Sequence, residues 1–140
     1  MESIRPRQVF IIEIVEALKG LSEPLITHRV ILQDEDHHRF GLQVGPCEAL
    51  GIQLALKEHL VPRPMTHDLI HNVLGRLGGR IESALIERPA SSLRARIRIQ
   101  TTSGAYALEA NHGDAIALAL RANAPIYATE EVFFKTEEPE

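Results

Sequence analysis

Two acids stand at equivalent places in an internal repeat. Leu42 to Leu54 (LQVGPCEALGIQL) aligns without a gap on Leu108 to Leu120 (LEANHGDAIALAL), and the alignment sets Glu48 on Asp114. Each acid lies three residues beyond a residue suited to cap a helix, Gly45 or Asn111. Acids at that position ordinarily interact with the free amides of the first turn, where the helix dipole favours negative charge. A pseudo-two-fold that brought Glu48 and Asp114 together with Asp68 would instead build an all-oxygen ligand set for a divalent cation, Mg²⁺ or Mn²⁺. Spacing alone leaves both readings open.

Asp68 belongs to a second unusual stretch, Pro62 to Leu69 (PRPMTHDL). Pro62 and Pro64 lack amide protons and bias the residue before each toward extended backbone, so a helix arriving from the left must break there. Thr66 can cap a new helix, and Asp68 puts negative charge in its first turn. The result is an elbow between two helices, with His67 and Asp68 beside a helix N-terminus. His67 and His71 frame the string HDLIH, which has the spacing of a zinc helix. It lacks a third ligand and has Asp in place of the usual Glu, so zinc is disfavoured. His37 and His38 fall in a polar turn and read as solvent-exposed.

Arg94, Arg96 and Arg98 alternate along LRARIRIQ and therefore project from one face of a strand, while Ala95, Ile97 and Ile99 project from the other. Such a stripe is either a solvated face whose charges are met by Glu82, Glu87 or Glu109, or a phosphate-backbone track giving salt-dependent, sequence-independent binding. Tyr106 is the lone aromatic in the adjacent strands, which gives little support to base stacking.

These groups must be positioned by the rest of the chain. Strands are expected at Gln8 to Glu16, Leu25 to Asp34 and His38 to Val44, forming a meander, followed by a helix that Gly45-Pro46-Cys47-Glu48 opens and that runs to His59. That helix is apolar nearly all round, which points to burial. After the elbow, Thr66 to Leu77 is amphipathic, with Leu69, Ile70, Val73, Leu74 and Leu77 on one face, and Gly78-Gly79 ends it. Strands Arg80 to Arg88, Leu93 to Gln100 and Ala105 to Ala110 follow, then a helix from Asn111 to Arg121, a short strand Ile126 to Ala128 and a helical turn from Thr129 to Lys135. The fold class is α+β: two related β-β-β-α halves joined by a central helix, with a mostly antiparallel or mixed sheet packed against helices. Residues 1–7 read as an N-terminal extension, 8–135 as a single domain and 136–140 as an acidic tail.

At 140 residues and 44% hydrophobic, the chain can bury a sizeable core. It has no run of about 18 apolar residues to span a membrane, and the lone Cys47 excludes an internal disulfide and fits a reducing, cytoplasmic setting. A net charge of -4 means that any nucleic-acid contact must use a local basic patch. Short, very apolar helices in so small a domain also point to a homo-oligomer, a dimer being favoured.

Gly45-x-x-Glu48-Ala49, the block Pro62-Arg-Pro-Met-Thr-His-Asp-Leu69, and Asp114-Ala-Ile-Ala-Leu-Ala-Leu-Arg121 followed by Ala124-Pro125-Ile126 resemble the bifunctional nuclease domain over roughly residues 8–135. The Pro-Arg-Pro-x-Thr-His-Asp-Leu string is the specific part. The resemblance implies an α+β domain, often oligomeric, in a family whose plant members are described as cleaving both DNA and RNA. Where that family typically has Arg-Pro-Ser-Asp, this chain has Asn111-His112-Gly113-Asp114, so the Asp is kept and a phosphate-contacting Arg is not. Phosphodiester cleavage needs charge neutralisation and an activated water. The resemblance brings no settled catalytic set with it; the residues of this chain that can meet those needs are Glu48, Asp68 and Asp114 as metal ligands, His67 as general acid or base, and Arg63 with the arginine stripe as phosphate contacts. The expected function is a divalent-metal-assisted nuclease of low sequence specificity acting on DNA or RNA. The alternative is a non-catalytic binding or regulatory module of the same fold.

Overall fold

Both halves of the repeat fold as three-stranded meanders that run into a helix. The computed structural model describes residues 5–19, 25–57 and 66–134. In the first half β1 (Arg7–Lys19), β2 (Leu25–Gln33) and β3 (Arg39–Val44) pair antiparallel and lead into α1 (Pro46–Lys57). A connecting helix, α2 (Thr66–Arg76), leads to the second half: β4 (Arg80–Glu87), β5 (Arg94–Thr101), β6 (Gly104–Ala110) and α3 (His112–Arg121). The first strand of each meander carries a register shift, between Ile11 and Glu13 and between Ile81 and Ser83.

A short strand, β7 (Ile126–Ala128), joins the two meanders. It lies antiparallel to Arg7–Val9 of β1 and parallel to Ala84–Ile86 of β4, giving one mixed seven-stranded sheet in the order β3-β2-β1-β7-β4-β5-β6. A final turn of helix, α4 (Glu130–Phe134), follows it. Arg7, placed by the sequence in an extension, is thus the first residue of the sheet.

The core lies between the sheet and α3. Ala115, Ile116, Ala117 and Ala119 are buried, and the small alanines let the helix lie close to Ala84, Ile86, Ala95 and Ile97 of β4 and β5. Val30, Leu32 and Leu42 continue the core under α1, and Val132 and Phe133 of α4 close it. Alternation along β5 is clean: Ala95 and Ile97 point inward while Arg96 and Arg98 point to solvent.

One expectation about the helices is corrected, the burial of the first. Only Ala49 and Ile52 of α1 are buried, whereas Leu50 and Leu56 are 43% and 45% exposed, because α3 occupies the centre of the helical layer and α1 is left at its flank. The apolar face of α2 is turned outward too: Leu69, Ile70, Val73 and Leu77 are all exposed, Leu74 alone of that set packs against the core, and the buried residue of the helix is His67. The proline elbow, Arg63 and the acidic tail lie outside the described residues.

Candidate active site

The paired helix starts sit side by side. At α3, Asn111 is the N-cap: its Oδ1 accepts from the Asp114 amide at 2.8 Å and its Nδ2 donates to Asp114 Oδ2 at 2.8 Å. This reciprocal pair satisfies one of the amides that a helix start leaves open. At α1 the Gly45 carbonyl accepts from the Ala49 amide at 2.9 Å, and the Glu48 carboxylate folds back over Gly45. The stem of Glu48 lies on Gly113, where an added Cβ would come within 2.8 Å of Glu48 Cβ. The two equivalent acids therefore flank one junction, each attending its own helix.

His67 fastens the third helix to that junction. Its ring is buried and held by Asp114, with Nε2 and Asp114 Oδ1 2.9 Å apart; since an ionised carboxylate can only accept, Nε2 carries the proton and donates. The opposite edge of the ring rests on Gly51 of α1, where a Cβ would stand 2.8 Å from Cε1 and closer still to Nδ1. Gly51 and Gly113 are thus the spaces that admit His67 and Glu48. The Asp114 side chain remains 42% exposed, so its carboxylate is the member of the pair that solvent or a ligand can reach.

Asp68 goes elsewhere. Its Oδ1 accepts from Arg121 Nε at 2.5 Å, in the last turn of α3, while Asp114 is in the first turn. Seven residues of helix separate the two, about 10 Å along the axis. The fold bonds His67 to Asp114, lays the stem of Glu48 on the neighbouring Gly113, and sets Asp68 at the other end of α3. His71, close to the Asp68–Arg121 pair, has its pKa lowered by burial and by the Arg121 charge, with Asp68 pulling the other way. His67 does not turn toward His71 as a zinc pair requires: its Nε2 is bonded to Asp114 and its Nδ1 edge lies against Gly51 of α1.

A different group has the compactness of a metal centre. Among the described residues, Asp34, Asp36 and His38 are the set whose potential ligand atoms all lie within 4.8 Å of one another. Asp34 is buried, and its oxygens are already occupied: Oδ1 accepts the Asp36 and His38 amides at 2.9 and 2.8 Å, and Oδ2 meets His38 Nδ1 at 3.0 Å and Arg7 at 3.2 Å. Burial opposes ionisation of this carboxyl, but the bonds from the His38 amide, the His38 ring and the Asp36 amide, with the His38 charge, outweigh it and hold the pKa below the usual value. A cation here would have to displace Arg7, whose guanidinium also reaches Glu130 at 3.5 Å and lies over the Phe133 ring. The group ties the β2–β3 turn to α4. The pattern Asp-x-Asp-x-His in a turn was its available clue, and sequence reasoning passed over it.

The arginine stripe is paired with glutamates where it stands. Arg94 and Arg96 both reach Glu87, at 3.4 and 2.5 Å, and Arg98 reaches Glu82 at 3.1 Å. Ala95 and Ile97, which alternate with these arginines, are buried, so the stripe lies on the face of the sheet turned away from α3 and from the Asp114 junction.

A family model described as "Bifunctional nuclease domain" matches residues 30–140. Two curated proteins from strains of Mycobacterium tuberculosis, each described as uncharacterized, are 29% identical over 105 residues, covering 74% of this chain. The aligned stretch is 62% of the length of those relatives, so the chain spans less than two thirds of them.

Proposed function

We propose, on the premise that this chain belongs to the bifunctional nuclease domain family, that it is a cytoplasmic nuclease of low sequence specificity, hydrolysing DNA or RNA with a divalent cation. The observation that carries this reading is the junction itself: two acids from separate helices flank one point, and a buried histidine from a third helix orients one of them. The donor set fits a hard cation. It is all oxygen, Asp114 keeps an exposed carboxylate face, and Mg²⁺ is commonly held by one or two carboxylates with waters and substrate phosphate completing the shell.

In this reading Glu48 and Asp114 hold the cation, which when bound neutralises phosphate charge and lowers the pKa of a bound water. His67 is a positioning residue: donating from Nε2, it fixes the carboxylate of Asp114 in the way that outer partners orient metal ligands. Asn111 fixes the other oxygen. Asp68 acts on the fold through Arg121. Arg63 remains a proposed phosphate contact.

The test is cleavage of single- and double-stranded DNA and RNA in Mg²⁺, Mn²⁺ or chelator, with Asp114→Asn and Glu48→Gln beside the parent. Each variant should lose about a hundredfold or more in rate, in line with removal of one charge-stabilising group. Full activity in both variants would remove the site, and no cleavage by the parent with any metal would remove the enzyme.

A second reading, the non-catalytic binding or regulatory module, has its own support. Both acids are engaged at their own helix starts, the arginine stripe is paired with Glu82 and Glu87, and Asn111 stands where the family typically has Arg.

A further inference from the structure

β7 pairs with β4 only from Ala84 onward, where the Ala84 amide donates to the Pro125 carbonyl at 3.1 Å. Upstream of that bond, the first half of β4 and the turn that carries the chain from α3 into β7 flank an open cleft of about 550 Å³. Small-molecule sites span about 300–1,000 Å³. Two local irregularities shape the cleft. A register shift between Ile81 and Ser83 leaves Glu82 unmatched in the β4–β5 ladder. Asn123, left-handed at φ 56°, ends α3 with its amide on the Leu120 carbonyl and the Ala124 amide on that of Ala119.

The polar groups of the lining are uncommitted. The hydroxyls of Ser83 and Tyr127 and the side-chain amide of Asn123 have no hydrogen-bond partner among the described residues. Arg80 and Glu82 complete the lining, and Glu82 is shared, with Arg80 at 3.4 Å and Arg98 at 3.1 Å. Two guanidiniums on one carboxylate leave one positive charge in excess. β7 also brings an aromatic to this side of the sheet. Cross-strand partners share a face: Tyr127 is opposite Leu85, and Leu85 opposite Arg96, so Tyr127 stands on the face of the arginine stripe. Tyr106, opposite Ile99, stands on the other.

We propose that this cleft binds a nucleotide, with the base against Tyr127 and the phosphate on Arg80 and Arg98. An aromatic ring, an amide that sets a donor beside an acceptor, and two hydroxyls suit the face and edge of a nucleobase. Guanidiniums suit the phosphate. An inorganic anion would leave the amide and both hydroxyls unused. A free mononucleotide and one unit of a single strand offer the same chemistry. The cleft is separate from the candidate cation site: Asp114 precedes Ala122, in the cleft wall, by eight residues, about 12 Å along the α3 axis.

Nuclear magnetic resonance titration of the isotope-labelled full chain tests this, in chelator so that cation-dependent cleavage does not intervene. The ligands are AMP, adenosine, ribose phosphate and a short single-stranded oligoadenylate. AMP should saturate with a Kd of about 1 mM or tighter, shifting the amides of residues 80–83 and 122–127 and sparing those around Asp114. Adenosine and ribose phosphate should each bind at least about tenfold more weakly, since each lacks one half of the recognition. Whichever of AMP and the oligomer binds tighter identifies the source of the nucleotide, and both results support the cleft. Asn123→Gly suits the left-handed backbone, and Arg80→Ala changes a side chain that is 72% exposed, so both variants keep the fold. Each should weaken AMP about fivefold or more. No saturation by about 10 mM AMP, shifts confined to the Asp114 junction, ribose phosphate binding as tightly as AMP, or parent affinity in both variants would overturn the proposal. Because the titration needs no turnover, a chain that cleaves nothing can pass it and an active nuclease can fail it.

Discussion

Gly51→Ala isolates the contact that assembles the candidate site. Helix propensity alone favours the change by about 1 kcal/mol. In this fold the new methyl would stand 2.8 Å from His67 Cε1, and the ring has little room to retreat because it is buried and bonded to Asp114 at 2.9 Å. Overpacking costs about 1–3 kcal/mol, and losing a hydrogen bond to a charged group about 1.5–3 kcal/mol. Against the propensity gain, a net loss of about 1.5–5 kcal/mol follows, or, at about 2–4 °C per kcal/mol, a Tm lower by roughly 3–20 °C for a chain of this size. Gly75 in α2 is the control: nothing lies within 4 Å of where its Cβ would be, so Gly75→Ala should raise Tm by about 2–4 °C. Circular dichroism melts of both variants, with Gly51→Ala repeated in a His67→Ala background, complete the test. In that background the methyl has no ring to meet, and the substitution should turn neutral or favourable. A Gly51→Ala protein that melts at or above the parent temperature would refute the lodging of His67 against α1, and with it the positioning of Asp114.

Two further outcomes follow from the ionic groups. Asp34 has a folded pKa below its unfolded value of about 3.9, so its contribution to stability is present above that value and is lost as pH falls through the folded one. Melts between pH 7 and pH 2 should show the parent losing stability more steeply in acid than Asp34→Asn; parallel curves would mean the carboxylate is not held by His38 and Asp36. Glu87→Gln should release Arg94 and Arg96, making the salt dependence of oligonucleotide binding steeper by about two units of log–log slope, read by fluorescence anisotropy. An unchanged slope would mean that the stripe makes no phosphate contact.

The fold was legible because its periods are short-range properties. Alternation in LRARIRIQ and the Gly45-Pro46 and Asn111 helix starts each act within a dozen residues, and the order of strands within each meander follows from their sequence order. What β7 does was not legible: three residues identify a strand but not the slot between β1 and β4 that it fills. The outward turn of α2 was hidden for a related reason. An apolar stripe tells that a face will be covered and is silent on whether the same chain or another one covers it. Here α3 already occupies the sheet, and the stripe of α2 is left over.

The site divides along the same line. That Glu48 and Asp114 are equivalent could be read from the repeat, because equivalence is a matter of register. That His67 goes to Asp114 while the next residue goes to Arg121 depends on how α2 crosses α3, and adjacent residues on a helix point about 100° apart. One crossing angle therefore separates two neighbours that look interchangeable in sequence, giving one to the candidate cation site and the other to the far end of α3. The residues that could have given notice were glycines. A glycine within a helix gives up about 1 kcal/mol of propensity, and Gly51 and Gly113 lie where a methyl would collide with His67 and Glu48. Helical glycines beside a candidate acid or histidine are thus a better guide to what that side chain touches than the spacing of the polar residues among themselves.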